Sequence, residues 1–513
     1  MTFRPSAARL ASNRDLPRQL LHQITTLTLT IVTLGLSIAS AKYGLCANSR
    51  SVPNIVLILA DDLGWWDLGC YGSEFHQTPH LDRFAAQGMR FTDAYAACNC
   101  CSPTRAAILT GKYPARLHLT DWIPGTSFPT AKLRPPAWRQ HLLPEEVTLA
   151  ETLESAGYAT AAIGKWHLGQ EPFLPQSQGF ELNIGGNHSG APGSYFWPYG
   201  HDDPAKANRY HGGPVPNVYA AGRPGEYLTD RLTDEALKFI ESNRERPFFL
   251  YLAHYAVHTP LEAKQELIAK YRARIRPGQK QNNPTYAAMV ESLDQSVGRV
   301  LDRLATLGIA ERTMVVFTSD NGGYAGYGGK SGATWNGPLR LGKGSCYEGG
   351  HRVPLVIRWP GVTPPASVCC EPVVSVDLYP TILALAGVRG DAKHNAAVDG
   401  VDLTPLLRQT GTPAREAIYW HYPHYNVAPQ TPYGAIRQGD YKLIEFDEDQ
   451  RVELYNLHDD LGETMDLADQ MPQLATALRT RLAAWRKSVA AQMPQPNPKH
   501  AGPRVGPHPV APH

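Results

Sequence analysis

The chain carries no excess of charge of either sign. Its 49 Lys and Arg against 47 Asp and Glu leave a formal net charge of +2 over 513 residues, and no long basic block stands out. That balance gives little support to nucleic-acid binding, which needs clustered cations. No internal repeat is visible, and past residue 41 no apolar run is long enough to span a bilayer. The eight cysteines (Cys46, Cys70, Cys98, Cys100, Cys101, Cys346, Cys369 and Cys370) follow no metal-knuckle spacing. Neighbours such as Cys369 and Cys370 are awkward to bridge to each other, so no disulfide pattern can be read. A single Asn-x-Ser/Thr acceptor, Asn187-His188-Ser189, argues against a heavily glycosylated protein and tilts the source toward bacteria.

What is present is the composition of a large globular enzyme, 42% hydrophobic and 19% charged, with 45 Gly and 43 Pro pointing to many loops. This length leaves room for a large core and more than one domain. Arg4, Arg9, Arg14 and Arg18 precede an uncharged run from Ile24 to Ala41 that ends in Ala39-Ser40-Ala41. That order reads as a secretory signal peptide over residues 1–41, with an uncleaved anchor as the alternative. A periplasmic or secreted protein, with no stable membrane association once the signal is removed, is the expectation.

Along the chain, apolar strands repeatedly run into polar clusters. Pro53 to Ala60 is continuously apolar, as in a strand buried on both faces of a parallel sheet, and leads into Asp61-Asp62. Tyr158 to Ile163 leads into Gly164-Lys165-Trp166-His167-Leu168-Gly169, Pro247 to Ala253 into His254 and His258, and Thr313 to Ser319 into Asp320-Asn321-Gly322-Gly323. A further strand is expected over Val353 to Trp359. Helices are expected over Thr78–Gly88, Glu145–Gly157, Tyr227–Asn243 and Thr285–Leu307, and around Leu378 to Ala386. The pattern predicts a large, mainly parallel α/β sheet flanked by helices, over residues 50–400, with its chemistry on one edge. From Ala414 short strands and turns predict a small antiparallel sheet with a packed helix, residues 414–490. Residues 493–513 read as a disordered Pro- and His-rich tail.

Three acids and an amide at these strand ends are hard oxygen donors, suited to calcium or magnesium. Adjacent Asp61 and Asp62 want either a cation between them or solvent around them. The stretch Cys98-Asn99-Cys100-Cys101-Ser102-Pro103-Thr104-Arg105 has two readings of its own. It is a disulfide loop before an ordinary helix, or it places Cys101 at a helix N-terminus that favours an anion, with Arg105 one turn on. A cation at the acids, Lys165 and Lys343 on an anion's oxygens, and histidines to move protons would account for all the clusters together.

Cys101-Ser102-Pro103-Thr104-Arg105, continued by Ala106-Ala107-Ile108-Leu109-Thr110-Gly111, resembles the signature of the formylglycine-dependent, type I sulfatases. Gly164 to Gly169 is similar to that family's second signature. Asp61-Asp62, Ser319 to Gly322, Gly342-Lys343-Gly344 and Tyr347 to Gly350 match further family motifs, and the likeness runs from about Pro53 to Pro498. The resemblance implies an alkaline-phosphatase-like fold and a sulfuric ester hydrolase. It also implies Cys101 oxidised to formylglycine by a maturation enzyme, and one calcium held by Asp61, Asp62, Asp320, Asn321 and the modified Cys101. Arg105 would anchor the aldehyde hydrate and the acids, and Lys165 and Lys343 would contact sulfate. His258, with His254 as competitor, would protonate the leaving alcohol, and His167 would take the proton that releases sulfate. A thiolate attacking sulfur would leave an adduct with no easy exit. A hydrated aldehyde has one hydroxyl to attack and a second whose deprotonation expels sulfate.

The substrate expected is a sulfated sugar of an extracellular polysaccharide or an aryl sulfate. The Gly-, Pro-, Tyr- and His-rich insertion from Gly185 to Gly225 and the rings of His421-Tyr422-Pro423-His424-Tyr425 are candidates to stack on sugars, or else simply pack. A phosphomonoesterase or phosphonate monoester hydrolase on the same fold, and a non-catalytic glycan-binding descendant, are the rival readings. Cys98 and Cys100 are a departure that exposes Cys101 to an unwanted disulfide.

Overall fold

Asn54–Ala60 (β1) is apolar but for its first residue, and all seven residues are buried. Alternate side chains of β1 enter two different cores. Val56 and Ile58 pack with helices Leu228–Ser242 and Pro284–Thr306 on one face. Ile55, Leu57 and Leu59 pack with Cys101–Thr110, Leu149–Ser155 and Leu378–Ala386 on the other. A strand buried on both sides needs parallel neighbours with helical crossovers, and β1 has them. The computed structural model describes residues 52–202, 212–220, 222–327, 332–428 and 430–500; the expected signal segment lies outside them.

Seven further strands complete the large sheet: Met89–Phe91 (β2), Ala159–Gly164 (β3), Leu182–Ile184 (β4), Phe248–Ala253 (β5), Thr313–Ser319 (β6), Leu355–Arg358 (β7) and Ser367–Cys369 (β8). Their order is β8-β2-β7-β6-β1-β5-β3-β4. Only β7 runs against its neighbours. The four central strands β6, β1, β5 and β3 are parallel, so their C-terminal ends lie side by side. The polar clusters seen in the sequence all leave from these ends.

Four antiparallel strands follow, Ile418–Tyr422 (β9), Tyr433–Gln438 (β10), Tyr441–Phe446 (β11) and Val452–Asn456 (β12). One face of this sheet, with Trp420, Tyr422, Tyr433 and Ile444, packs on Tyr95, Cys98 and Cys100 of the large sheet's loops. The other face, with Ile436, Leu443 and Leu454, is covered by Leu478 and Leu482 of the helix Pro472–Ser488.

Several boundaries differ from the sequence pattern. The helix expected from Glu145 starts at Leu149, because Thr148 and Glu151 close a capping box there. The run from Met89 to Ala96, which could pass for one strand, is two, Met89–Phe91 and Ala94–Tyr95, which pair with different partners. Residues 493–500, expected in a disordered tail, are ordered. Gln495–Pro496 pairs with Leu133–Arg134, and Asn497 Nδ2 donates to the carbonyls of Pro129 (3.0 Å) and Ala131 (2.7 Å).

A buried ion network ties the two sheets together. Lys442 of β11 is fully buried, 3.0 Å from Glu348 Oε1 and 2.8 Å from Glu463 Oε1. Glu463 also accepts from the Glu348 backbone N–H at 2.7 Å, which pins the loop carrying Lys343. Removing one partner of such a network strands the other charges in a dry interior. Lys442→Ala is therefore expected to cost about 3–5 kcal/mol of folding stability, read as a lower urea midpoint; a loss below about 1 kcal/mol, the scale of an exposed pair, would contradict it.

Candidate active site

The sequence from Cys101 to Thr110 folds into a helix whose ten residues are all buried, ended by Gly111 in the left-handed conformation. Cys100 at its N-cap is extended and makes no side-chain cap. The first turn therefore keeps the positive end of the helix dipole at Cys101. Thr104 Oγ1 closes the preceding loop, accepting from the Cys98 N–H at 3.1 Å. Cys98 and Cys100 face each other with sulfurs 3.5 Å apart.

Arg105, one turn on and fully buried, sends Nε to Asp320 Oδ2 (2.8 Å) and Nη1 to the Lys165 carbonyl (3.0 Å). Lys165 Nζ lies 2.6 Å from Asp61 Oδ2, and Lys343 Nζ lies 2.8 Å from Asp62. Asn321 Nδ2 donates to Asp62 Oδ1 at 2.7 Å. The acids, the amide, Arg105 and the two lysines thus converge on one place, at the carboxyl edge of the parallel strands where α/β sheets bind ligands. Gly164 has φ +106°, and a β-carbon there would collide with the Ala253 carbonyl. That glycine is what lets β3 turn Lys165 inward beside β5.

A cavity of about 760 Å³ opens above these groups, lined by Asp62, Cys101, His167, His258 and Lys343. Lys165 and His167 both reach this region, but not along an extended segment, because His167 adopts φ 60°. Its ring packs on Gly190, where a β-carbon would lie 2.6 Å from the ring. His167 Nε2 lies 2.6 Å from the Ile123 carbonyl. A carbonyl can only accept, so Nε2 carries the hydrogen and the buried Nδ1 keeps a free lone pair. Burial first and Lys165 second push the His167 pKa well below its usual range. His258 faces Asp62 across 3.6 Å. Its rival His254 is turned into the helix layer, with Nε2 2.9 Å from Ser296 Oγ, and does not line the cavity.

The electrostatics are strained. Burial, then Asp320, pushes the Asp61 carboxyl up to about 8 despite Lys165. Burial opposes ionisation of Asp62 as well, but Lys343, His258 and Lys165 outweigh it and hold its carboxyl down at about 2. Burial pushes the Cys101 thiol up to about 12, so it is a poor thiolate nucleophile as it stands. Asp61 Oδ1 and Asn321 Oδ1 are buried with no hydrogen-bond partner. Ligand atoms of Asp61, Asp62, Cys101 and His258 all lie within 4.8 Å of one another. Orphaned hard oxygens beside under-compensated acids fit a divalent cation of the calcium or magnesium kind.

Of the two readings of the rings at 421–425, the structure favours packing. The rings of residues 421–425 are not available to stack on a sugar. His421 is buried, with Nε2 2.9 Å from the Gln492 carbonyl, and Tyr422 donates to Asp121 Oδ1 at 2.7 Å. His424 meets Thr120 Oγ1 at 2.8 Å, and the Tyr425 hydroxyl accepts from the Leu133 N–H at 3.1 Å. Tyr422 belongs to the core under the small sheet, and His424 and Tyr425 pack on the rings of Trp138 and Phe128. The insertion does reach the site, since Gly190 to Gly193 line the cavity. Sequence reading missed Trp122, Tyr324, Tyr327, Asn426 and Val427, which form its outer wall. None sits at a strand end or in a charged cluster, so no pattern marked them.

Divalent cation binding is expected to raise the thermal unfolding midpoint of chelator-treated protein. A concentration one hundredfold above Kd adds about 2.7 kcal/mol, and Asp62→Asn should weaken the effect; no shift with calcium or magnesium would contradict the fit.

Comparison with known proteins agrees with this geometry. The sulfatase family model matches residues 53–388, and a model described as N-sulphoglucosamine sulphohydrolase, C-terminal, matches residues 341–488. A sulfatase of Formosa agariphila is 35% identical over 89% of this chain and 93% of its own. Arylsulfatase A of Homo sapiens is 37% identical over 77% of this chain and 75% of its own. The crystal structure of Ps i-CgsB, also solved in complex with k-i-k-neocarrahexaose, superposes with a TM-score of 0.73 at 31% identity, covering 88% of this chain and 95% of that one. With the family model spanning more than half of its length, the chain belongs to the sulfatase family, sulfuric ester hydrolases of alkaline-phosphatase-like fold.

Proposed function

We propose that this protein is an exported, calcium-dependent sulfatase that hydrolyses a sulfate monoester of a carbohydrate through a formylglycine hydrate made from Cys101. The observation that carries the reading is the convergence on Cys101 of Lys165, Lys343, His167, His258 and the acids that pair with Arg105 and Asn321. A thiol held at about 12 by burial is ill suited to attack by itself, which favours the modified residue. The aldehyde hydrate supplies a hydroxyl to attack sulfur and a second whose deprotonation expels sulfate. Asp61, Asp62, Asp320, Asn321 and residue 101 would hold calcium, which neutralises the acids and polarises sulfate when bound.

The chain's own groups do the rest. Arg105 fixes Asp320 and the Lys165 carbonyl, so the floor of the site is set before substrate arrives. Lys165 and Lys343 present ammonium groups for sulfate oxygens. His167, neutral and with Nδ1 unprotonated, is ready to accept the proton whose loss releases sulfate. Burial and Lys343 push the His258 pKa down to about 3 against the pull of Asp62. The negative charge of a bound sulfate and of the departing oxygen works the other way and favours the protonated imidazole that a leaving alcohol needs. Export rests on the basic, apolar and small-residue order of residues 1–41. A carbohydrate substrate is supported by the cavity's lining rings and by the k-i-k-neocarrahexaose named with the similar structure.

Matched nitrophenyl sulfate and phosphate esters separate the proposal from its phosphatase rival. The sulfate ester should be preferred, and Cys101→Ala should lower its turnover by at least about 10⁴-fold, the scale of removing a covalent nucleophile. A strong phosphate preference, or activity that survives Cys101→Ala, would contradict it.

A further inference from the structure

The small C-terminal sheet contributes a polar group to the cavity whose geometry is set in advance. Asn426 follows β9 and lines the same cavity as Cys101 and His258. Its Oδ1 accepts from the Ala428 backbone N–H at 3.2 Å, which fixes which end of the amide is oxygen. Its Nδ2 donates to the Tyr422 hydroxyl at 3.0 Å. Tyr422 in turn donates to the buried Asp121 carboxylate at 2.7 Å, and Asp121 Oδ1 accepts from the Trp122 N–H at 2.9 Å. Trp122 is itself part of the cavity wall. The amide also packs on the residue after Lys343, since a β-carbon at Gly344 would lie 2.7 Å from Asn426 Oδ1.

A primary amide has two hydrogens to donate and two lone pairs to accept with. These contacts use one of each. One donor hydrogen and one lone pair are left over on an amide that lines the cavity and that cannot rotate without breaking both contacts. That pair matches a hydroxyl, which both donates and accepts. It does not match a second sulfate or a carboxylate, which can only accept. Val427 beside it is 62% exposed and offers an apolar contact at the rim.

We propose that Asn426 is a specificity-determining residue that reads an unsulfated hydroxyl neighbouring the scissile ester on the leaving sugar. The inference rests on the carbohydrate-sulfatase reading above and narrows its substrate to a sugar sulfate with a free hydroxyl next to the ester. Locking the amide through Tyr422 and Asp121 matters because a preorganised group loses little freedom on binding, so a hydroxyl that fits gains the full contact. A substrate that lacks it leaves the amide's remaining donor and acceptor without that partner.

The test compares kcat/KM for a set of monosulfated hexoses, for each one's deoxy analogue lacking the neighbouring hydroxyl, and for nitrophenyl sulfate. The matured wild-type enzyme should prefer at least one hydroxylated sugar over its deoxy analogue by roughly 10- to 100-fold. In Asn426→Ala that preference should fall close to one. Equal losses on every ester would mark Asn426 as merely structural and overturn the proposal, as would full preference retained in the variant. No preference in the wild type would overturn it without needing a folded variant. A wild type that turns over nitrophenyl sulfate but discriminates no sugar overturns this inference alone. One that hydrolyses no sulfate ester overturns the sulfatase reading and this inference with it.

Discussion

Three carboxylates cannot be buried side by side without compensation, and the site is organised around that constraint. Asp61, Asp62 and Asp320 have between zero and 3% of their surface exposed. At such depth their mutual repulsion is weakly screened. Arg105 answers Asp320, Lys165 answers Asp61, and Lys343 answers Asp62. The compensation is incomplete at Asp61, where burial and Asp320 win and the carboxyl rises to about 8. A divalent cation would complete it. The lysines would then be free to meet an anion, so one shortage of positive charge accounts for both the metal and the substrate preference.

The fold makes this crowding possible. Four parallel strands end at one level, and each hands its next residues to the same small volume. Glycine at 164 lets β3 turn beside β5 without a clash. The helix from Cys101 presents its N-terminus to the same volume. The C-terminal sheet closes the arrangement from the side. Its buried Lys442 binds Glu348 in the loop that carries Lys343, and its Tyr422 holds Asp121 behind Cys100.

The central strands of the main sheet were legible in the sequence because a strand buried on both faces is apolar nearly throughout and stops at its first polar cluster, whereas the three-residue edge strands Leu182–Ile184 and Ser367–Cys369 are too short to show a pattern. Thr313–Ser319 and Leu378–Ala386 appear in the structure with the bounds the pattern implies. The direction of Leu355–Arg358 was not legible, since a short apolar run looks the same whichever way it runs. The capping box that trims the helix at Leu149 is written in Thr148 and Glu151, a local signature that apolar periodicity alone does not register. At the site, charged residues at strand ends announced themselves, and His258 and His254 could be told apart only by where their rings go. The rings of residues 421–425 left two readings open, because stacking on a sugar and packing in a core call for the same residue types. Asn426, one position beyond them, carries no charge and sits in a loop. Only its hydrogen bonds to Tyr422 and Ala428 single it out.

At position 101 the thiol of the encoded cysteine is too deeply buried to serve, and an aldehyde would serve well. Peptide mass spectrometry across residue 101, on active protein from its native host, is the most direct test. The account predicts a peptide in which an oxygen has replaced the sulfur and a pair of hydrogens. Full activity in protein whose Cys101 is still a thiol would contradict it.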